Sequence, residues 1–300
     1  MRKFLIWIFM VVITVVIVDL SLGYLFKRYI SGHVLPGDYE SVERVLRHND
    51  SEILVLGSSV ALNSINTKTL QDSLGVKTYS GGGNGQTFPF FLTMLKGAVQ
   101  SHPPKIVILC MQPSALTVEG IGDRYNFLAP YYGVGIADID KNMNGVRKHN
   151  DILMNSSLYK LNTIWFRILL YHFITSDIKG ENGHISKPIP PVFPEKHDVQ
   201  LGLISDERRE QLVEFLNICK SHDIKLTIIF TPEFITLTNA GSEENVVKQA
   251  STLADSYGFS VYFDSQLEPF NSHSELFYDN SHLNINGTKI YTDTILKRLK

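Results

Sequence analysis

Residues 51–65 read Ser51-Glu-Ile-Leu-Val-Leu-Gly57-Ser58-Ser59-Val-Ala-Leu-Asn63-Ser-Ile65. Ile53 to Leu56 form an unbroken apolar run that stops at Gly57. A short run of this kind, closed by glycine, reads as a strand buried on both faces. Gly57 permits a sharp turn where a side chain would clash. Two hydroxyls follow, and then a segment able to become a helix. A serine just past the C-terminal end of a central strand sits where open α/β sheets place their chemistry. Serine is also a favoured helix N-cap, so Ser58 or Ser59 has a purely structural alternative. On this stretch alone the two readings stand level.

Working outward, the apolar periodicity alternates between strand and helix lengths. Strands are expected at 52–57, 76–79, 105–110, 225–230 and 259–263, and helices at 67–73, 88–99, 205–221 and 243–257. That alternation predicts an α/β fold with a doubly wound parallel five-stranded sheet. Directly after the second strand comes Ser80-Gly81-Gly82-Gly83-Asn84-Gly85-Gln86-Thr87, backbone that must turn tightly or be approached closely. Its spacing is not that of a dinucleotide-binding loop. Between 115 and 203 the rhythm is lost. This stretch holds Tyr131, Tyr132, Trp165, a helix-like segment at 157–173 and the proline-rich run 187–194. A segment this long inside a compact domain reads as a functional insertion, a lid or an acceptor platform beside the site, and aromatic faces there suit sugar rings.

The 300 residues carry a formal net charge of −2, with 44% hydrophobic and 19% charged residues, so nothing points to nucleic acid as a partner. Arg2 and Lys3 precede a charge-free apolar run from Phe4 to Val18, which resumes after Asp19 and is closed by Lys27 and Arg28. The span Phe4–Phe26 is long enough to cross a bilayer, which takes roughly 20 apolar residues. A cleaved signal peptide would need a shorter apolar core and a better cleavage site than Ser21 and Gly23 provide. The expectation is an uncleaved single-pass anchor at 1–28, a juxtamembrane connector at 29–50 with a short helix near 39–47, and a domain at 51–300 that carries the insertion and lies outside the cytoplasm. The two cysteines, Cys110 and Cys219, sit in apolar patterns and read as small core residues; no metal site or cofactor is indicated.

Near the C-terminus, residues 277–290 read Phe-Tyr-Asp279-Asn-Ser-His282-Leu-Asn-Ile-Asn-Gly-Thr-Lys-Ile. A carboxylate three residues from a histidine can bond one ring nitrogen and leave the other free to take a proton. A serine hydroxyl is a poor nucleophile until such a base stands beside it. The bland alternative is that Asp279 caps a helix and His282 faces solvent.

Together, Gly57-Ser58-Ser59, the glycine loop and Asp279-x-x-His282-Leu-Asn-x-x-Gly resemble the motif blocks of the SGNH/GDSL hydrolase superfamily over residues 52–298. The resemblance implies a flavodoxin-like strand order of 2-1-3-4-5. It implies Ser59 as nucleophile, His282 as general base and then acid, and Asp279 as the group that orients it. The backbone amides of Ser59 and Gly85 would hold the oxyanion. The family's Gly-x-Asn-Asp block is missing; Met111-Gln112-Pro113-Ser114 stands in its place, with Gln112 as a substitute donor. Asn84, Tyr131 and Tyr132 are the candidate substrate contacts. The departures from the usual blocks bring the chain nearer the membrane-anchored branch that includes DltD-like proteins and the O-acetylation partners of MBOAT acyltransferases. That branch implies acyl transfer or ester hydrolysis on a cell-envelope glycan, and a membrane-bound acyltransferase as partner. A different class of reading is a catalytically silent member that binds glycan or scaffolds such an acyltransferase.

Overall fold

The computed structural model describes residues 1–32, 39–117, 127–136, 139, 151–162, 164–166, 170, 181–199, 203–237 and 240–300. In chain order the elements are α1 (Arg2–Gly32), α2 (Tyr39–Arg47), β1 (Ile53–Gly57), α3 (Ser59–Ser64), α4 (Thr67–Leu74), β2 (Thr78–Ser80), α5 (Phe88–Ser101) and β3 (Ile106–Met111). The insertion contains the short helices α6 (Asp151–Met154) and α7 (Ser157–Lys160) and the strand β4 (His197–Val199). There follow α8 (Asp206–Ser221), β5 (Lys225–Phe230), β6 (Ile235–Leu237), α9 (Ala240–Tyr257), β7 (Ser260–Phe263), β8 (Phe277–Asp279), β9 (His282–Leu283) and α10 (Ile285–Leu299).

The fold is α/β. Its main sheet has five strands in the order β2-β1-β3-β5-β7, and every neighbouring pair is parallel. Numbered along the chain within this sheet, the order is 2-1-3-4-5, as expected. The central strands β1 and β3 are near-continuous apolar runs because both their faces are covered. Successive side chains of β1 go to opposite layers. Leu54 and Leu56 join the core under α2, α5, α8 and α9. Ile53 and Val55 join a second core with Val60, Ile65, Leu70, Tyr291 and Ile295 from α3, its C-cap, α4 and α10. Each such side chain contributes about 1.5–3 kcal/mol on leaving water. Gly57 ends β1 at φ 147°, and a Cβ there would lie 1.9 Å from the Cys110 carbonyl oxygen on β3. That position therefore admits only glycine.

Two pairings were not legible in the sequence. β4 of the insertion pairs in parallel with β6, and β8 pairs antiparallel with β9. Runs of two or three residues are too short to show a period. The helix-like stretch at 157–173 begins as α7, with residues 164–166 and 170 also helical, while 163, 167–169 and 171–173 lie outside the described residues.

α1 is long and apolar enough to cross a membrane, and an 18-residue window of it has no residue buried by the protein. Its C-terminal end is different: Phe26 and Ile30 belong to the core. So do Tyr39, Val42, Val45 and Leu46 of α2, so the helix expected inside a connector packs against the sheet layer. Both cysteines are free and buried, and burial pushes the Cys219 thiol up to about 12.

Candidate active site

The site lies at the C-terminal edge of the main sheet. Ser58 is the N-cap of α3 and Ser59 its first residue, so the turn after β1 delivers both hydroxyls to that edge. Ser58 makes no capping hydrogen bond with its side chain. Ser59 instead meets the far end of the chain: its Oγ lies 2.7 Å from His282 Nε2. His282 Nδ1 lies 2.8 Å and 2.9 Å from the two carboxylate oxygens of Asp279. Ser59 and a histidine 223 positions away, with its neighbouring carboxylate, thus form one continuous relay.

The β8–β9 turn fixes that relay. Asp279 Oδ1 also accepts from the backbone amides of Ser281 and His282, each at 2.9 Å. Burial pushes the Asp279 carboxyl up, but the His282 ring and these amides outweigh it and hold its pKa below the ordinary 3.8. Asp279 is therefore a charged acceptor, which requires the His282 ring to carry its proton on Nδ1 when neutral and leaves Nε2 as the acceptor for the Ser59 hydroxyl. Asp279 caps no helix; Asn284 does that for α10, accepting from the amides of Asn286 and Gly287. The Asn284 amide group donates to the carbonyls of Glu275 and Phe277, tying the hairpin to the helix.

The glycine loop packs against the nucleophile turn. Gly81 N–H donates to Val55 and Gly83 N–H to Gly57, so the loop prolongs the β2–β1 pairing. A Cβ on Gly82 would stand 3.0 Å from the Ser58 carbonyl and 2.9 Å from Ala61 Cβ, so the loop can come this close only without a side chain. Asn84 and Gly85 are exposed in the turn beyond, Gly85 at φ 64°. Gln112 directly follows β3, the strand that pairs with β1, and so lies at the same C-terminal edge of the sheet as the turn after Gly57. Its amide nitrogen donates to Glu233 Oε1 at 2.5 Å. Glu233 is a buried carboxylate after β5 that the sequence did not single out; a lone acid after a Thr-Pro pair carries no spacing signal.

Among the described residues of the insertion, those from His184 onward reach the site. His184 Nδ1 donates to the Leu62 carbonyl of α3 at 2.8 Å, and burial lowers its pKa, so it is held as a neutral donor. The Ile185 amide donates to the same carbonyl, the Ile285 amide donates to Lys187, and the Asn280 amide group donates to Glu195 and Phe234. Residues 184–196 thus form a strap along the rim, bonded on either side of His282.

Tyr131 and Tyr132, expected as substrate contacts, are corrected by their surroundings. Tyr131 is fully buried, and its hydroxyl donates to Glu43 of α2 at 2.5 Å. Tyr132 is buried as well, with Lys160 Nζ bonded to its carbonyl. Trp165 packs on Phe26 and Tyr29 of α1. Tyr131 and Trp165 bind the insertion to the N-terminal helices, and among the described residues of the insertion it is 184–196 that border the Ser59 turn.

No family model and no curated protein matches the chain. Among solved structures it is similar to a candidate acylhydrolase from Bacteroides fragilis, at 14% identity, covering 84% of this chain and 87% of that one, with a TM-score of 0.40. It is also similar to the lipase/acylhydrolase from Enterococcus faecalis, at 10% identity, covering 83% and 95%, TM-score 0.37. A third is a GDSL-like lipase from Bacteroides thetaiotaomicron, at 10% identity, covering 91% and 96%, TM-score 0.38. The functional reading therefore rests on the residues themselves.

Proposed function

We propose that this chain is a membrane-anchored serine acyl-transfer enzyme of the SGNH type, an O-acyltransferase or esterase that works through an acyl-enzyme on Ser59. The observation that carries the reading is the relay from Asp279 through His282 to Ser59. His282 Nε2 takes the Ser59 proton as Oγ attacks the ester carbonyl. The bond to the leaving oxygen then breaks, and His282 returns the proton to it. Asp279 stabilises the imidazolium that forms between these steps. The amides of Ser59 and Gly85, with Gln112 beside them, are the proposed oxyanion donors; one donor of this kind is worth roughly 3 kcal/mol of barrier. An acceptor hydroxyl, from water or from sugar, enters by the same route in reverse.

The proposed acceptor is a cell-envelope glycan, and the proposed partner a membrane-bound acyltransferase; both follow from the family resemblance. Retention of α1 is supported by Asp19, which accepts from the Ser156 hydroxyl and the Leu158 amide and which cleavage near Gly23 would remove from the domain. We place the domain outside the cytoplasm. The experiment is fluorophosphonate labelling of the full chain, followed by mass spectrometry of envelope glycans from cells with and without the protein. Labelling confined to Ser59, with loss of one ester-linked group from the glycan, is expected. A wild-type chain that the probe never labels would sink the enzyme reading and leave the silent scaffold.

A further inference from the structure

α1 has two faces that give different heights for the membrane. On the face left uncovered by the protein, exposed apolar side chains run from Phe4 through Val18 and continue past Asp19 at Leu20, Tyr24 and Leu25. Phe4 to Leu25 spans about 32 Å at 1.5 Å per residue, which matches a hydrocarbon core of about 30 Å. On the other face the protein begins earlier. Asp19 accepts from the Ser156 hydroxyl and the Leu158 amide, both at 2.7 Å. One turn further on, a Cβ on Gly23 would lie 2.4 Å from Ser157 Oγ, so α7 is pressed directly onto the helix. Phe4 to Asp19 spans only about 22 Å. The insertion therefore meets α1 about 8 Å below the level that the apolar face sets for the membrane surface.

The same part of the insertion exposes large apolar side chains. Leu153, Leu158 and Phe166 are all open, Phe166 at 63%. A carboxylate within an apolar span is costly unless it is bonded, and here two donors from the insertion satisfy it. Interfacial elements seat their apolar side about 5–10 Å into the headgroup and acyl boundary, the depth that the Asp19 contact requires.

We propose that Leu153, Leu158 and Phe166 form a foot seated in the bilayer interface, its occupant the lipid itself, so that the insertion fixes the domain on the membrane at a set height. This rests on the reading of α1 as a membrane span. The test uses the full chain in lipid nanodiscs, with single nitroxide-labelled cysteines at Val12, Leu158, Phe166 and the exposed His222; the native Cys110 and Cys219 are buried. Collision with oxygen marks lipid, and collision with a water-soluble nickel chelate marks solvent. Val12, Leu158 and Phe166 should each show an oxygen-to-nickel ratio several-fold above that at His222. Leu153→Cys provides a third foot position should one label disturb α7. Foot positions that match His222 while Val12 remains oxygen-favoured would overturn the foot and leave the span standing. A nickel-favoured Val12 would remove the span, and the foot with it.

Discussion

The two described parts of the insertion are bonded in different ways to different partners. The part at 127–166 is fastened to α1 and α2 through side chains: Tyr131 on Glu43, Ser156 on Asp19, Trp165 on Phe26 and Tyr29. The part at 184–196 is fastened to α3 and the His282 turn mostly through backbone carbonyls: Leu62, Lys187 and Glu195 all accept. The first is a structural attachment to the N-terminal helices. The second fixes the rim of the site. Substitutions should therefore separate stability from chemistry along one inserted segment, and the relay supplies the reference.

The largest effect belongs to the relay. Ser59→Ala and His282→Ala should each lower turnover of an activated ester by more than about 10³-fold, and the double variant should be no worse than either single one, because nucleophile and base act as a unit. Both side chains are half-buried and neither fills the core, so the unfolding midpoint should barely move. A Ser59→Ala chain with full turnover would end the reading.

Asp279→Asn comes next, with a loss of roughly 10²–10⁴-fold, since an amide cannot hold His282 in the tautomer that leaves Nε2 open. The sign of the pH effect follows from the lowered Asp279 pKa. A carboxylate whose folded pKa lies below its unfolded value contributes stability in full above the unfolded pKa. That contribution is lost as pH falls below about 4 and through the folded value. Acid unfolding of the wild type should therefore be steeper in this window than that of Asp279→Asn. Matching acid curves would show that the ring and amide bonds contribute nothing measurable.

The comparison itself is tested by Tyr131→Phe against Asn280→Ala. Tyr131→Phe removes a donor from the buried Glu43 carboxylate and should cost about 1.5–3 kcal/mol by chemical denaturation, with turnover per folded molecule unchanged. Asn280→Ala frees the turn between the two relay residues from Glu195 of the strap and from Phe234. It should lower turnover by about 10-fold or more, because small displacements of positioned groups are costly to rate. The division of the insertion fails if Tyr131→Phe slows the chemistry or Asn280→Ala does not.

The sheet and the relay were legible in the sequence for different reasons. The sheet rests on local punctuation, apolar runs stopped by residues such as Gly57. The relay stands open on spacing alone and is read from the resemblance of Gly57-Ser58-Ser59, the glycines after Ser80 and Asp279-x-x-His282 to the SGNH/GDSL blocks. Gly57 and Gly82 are glycines because a Cβ would strike Cys110 or Ser58. Those collisions are long-range, but the glycines announce them. The insertion announces nothing of the sort. Tyr131 looks like a sugar platform until Glu43, 88 positions away, is found against its hydroxyl. Glu233 and Gln112 meet across 121 positions with no spacing rule to link them. Side-chain pairing between distant segments leaves no period to read, so the sequence could show that the insertion exists but not which way each part faces.

The smallest expected effect falls on Ser58, and it separates the two meanings of a serine after a strand. Ser58 occupies the N-cap of α3, yet its side chain makes no capping bond. Asn284 occupies the same position on α10 and accepts from two amides. A cap residue contributes to stability through that accepted bond, so Asn284→Ala should cost about 1–2 kcal/mol and Ser58→Ala less than about 0.5 kcal/mol. Turnover should follow a different logic. The hydroxyl bonded to His282 belongs to Ser59, so Ser58→Ala should keep turnover within a few-fold of wild type although its hydroxyl is one residue from the nucleophile. Measuring both quantities on the two adjacent variants settles the assignment. If Ser58→Ala destabilises as a cap should, the turn has another arrangement in solution; if it removes turnover, the nucleophile has been misplaced by one residue and the relay with it.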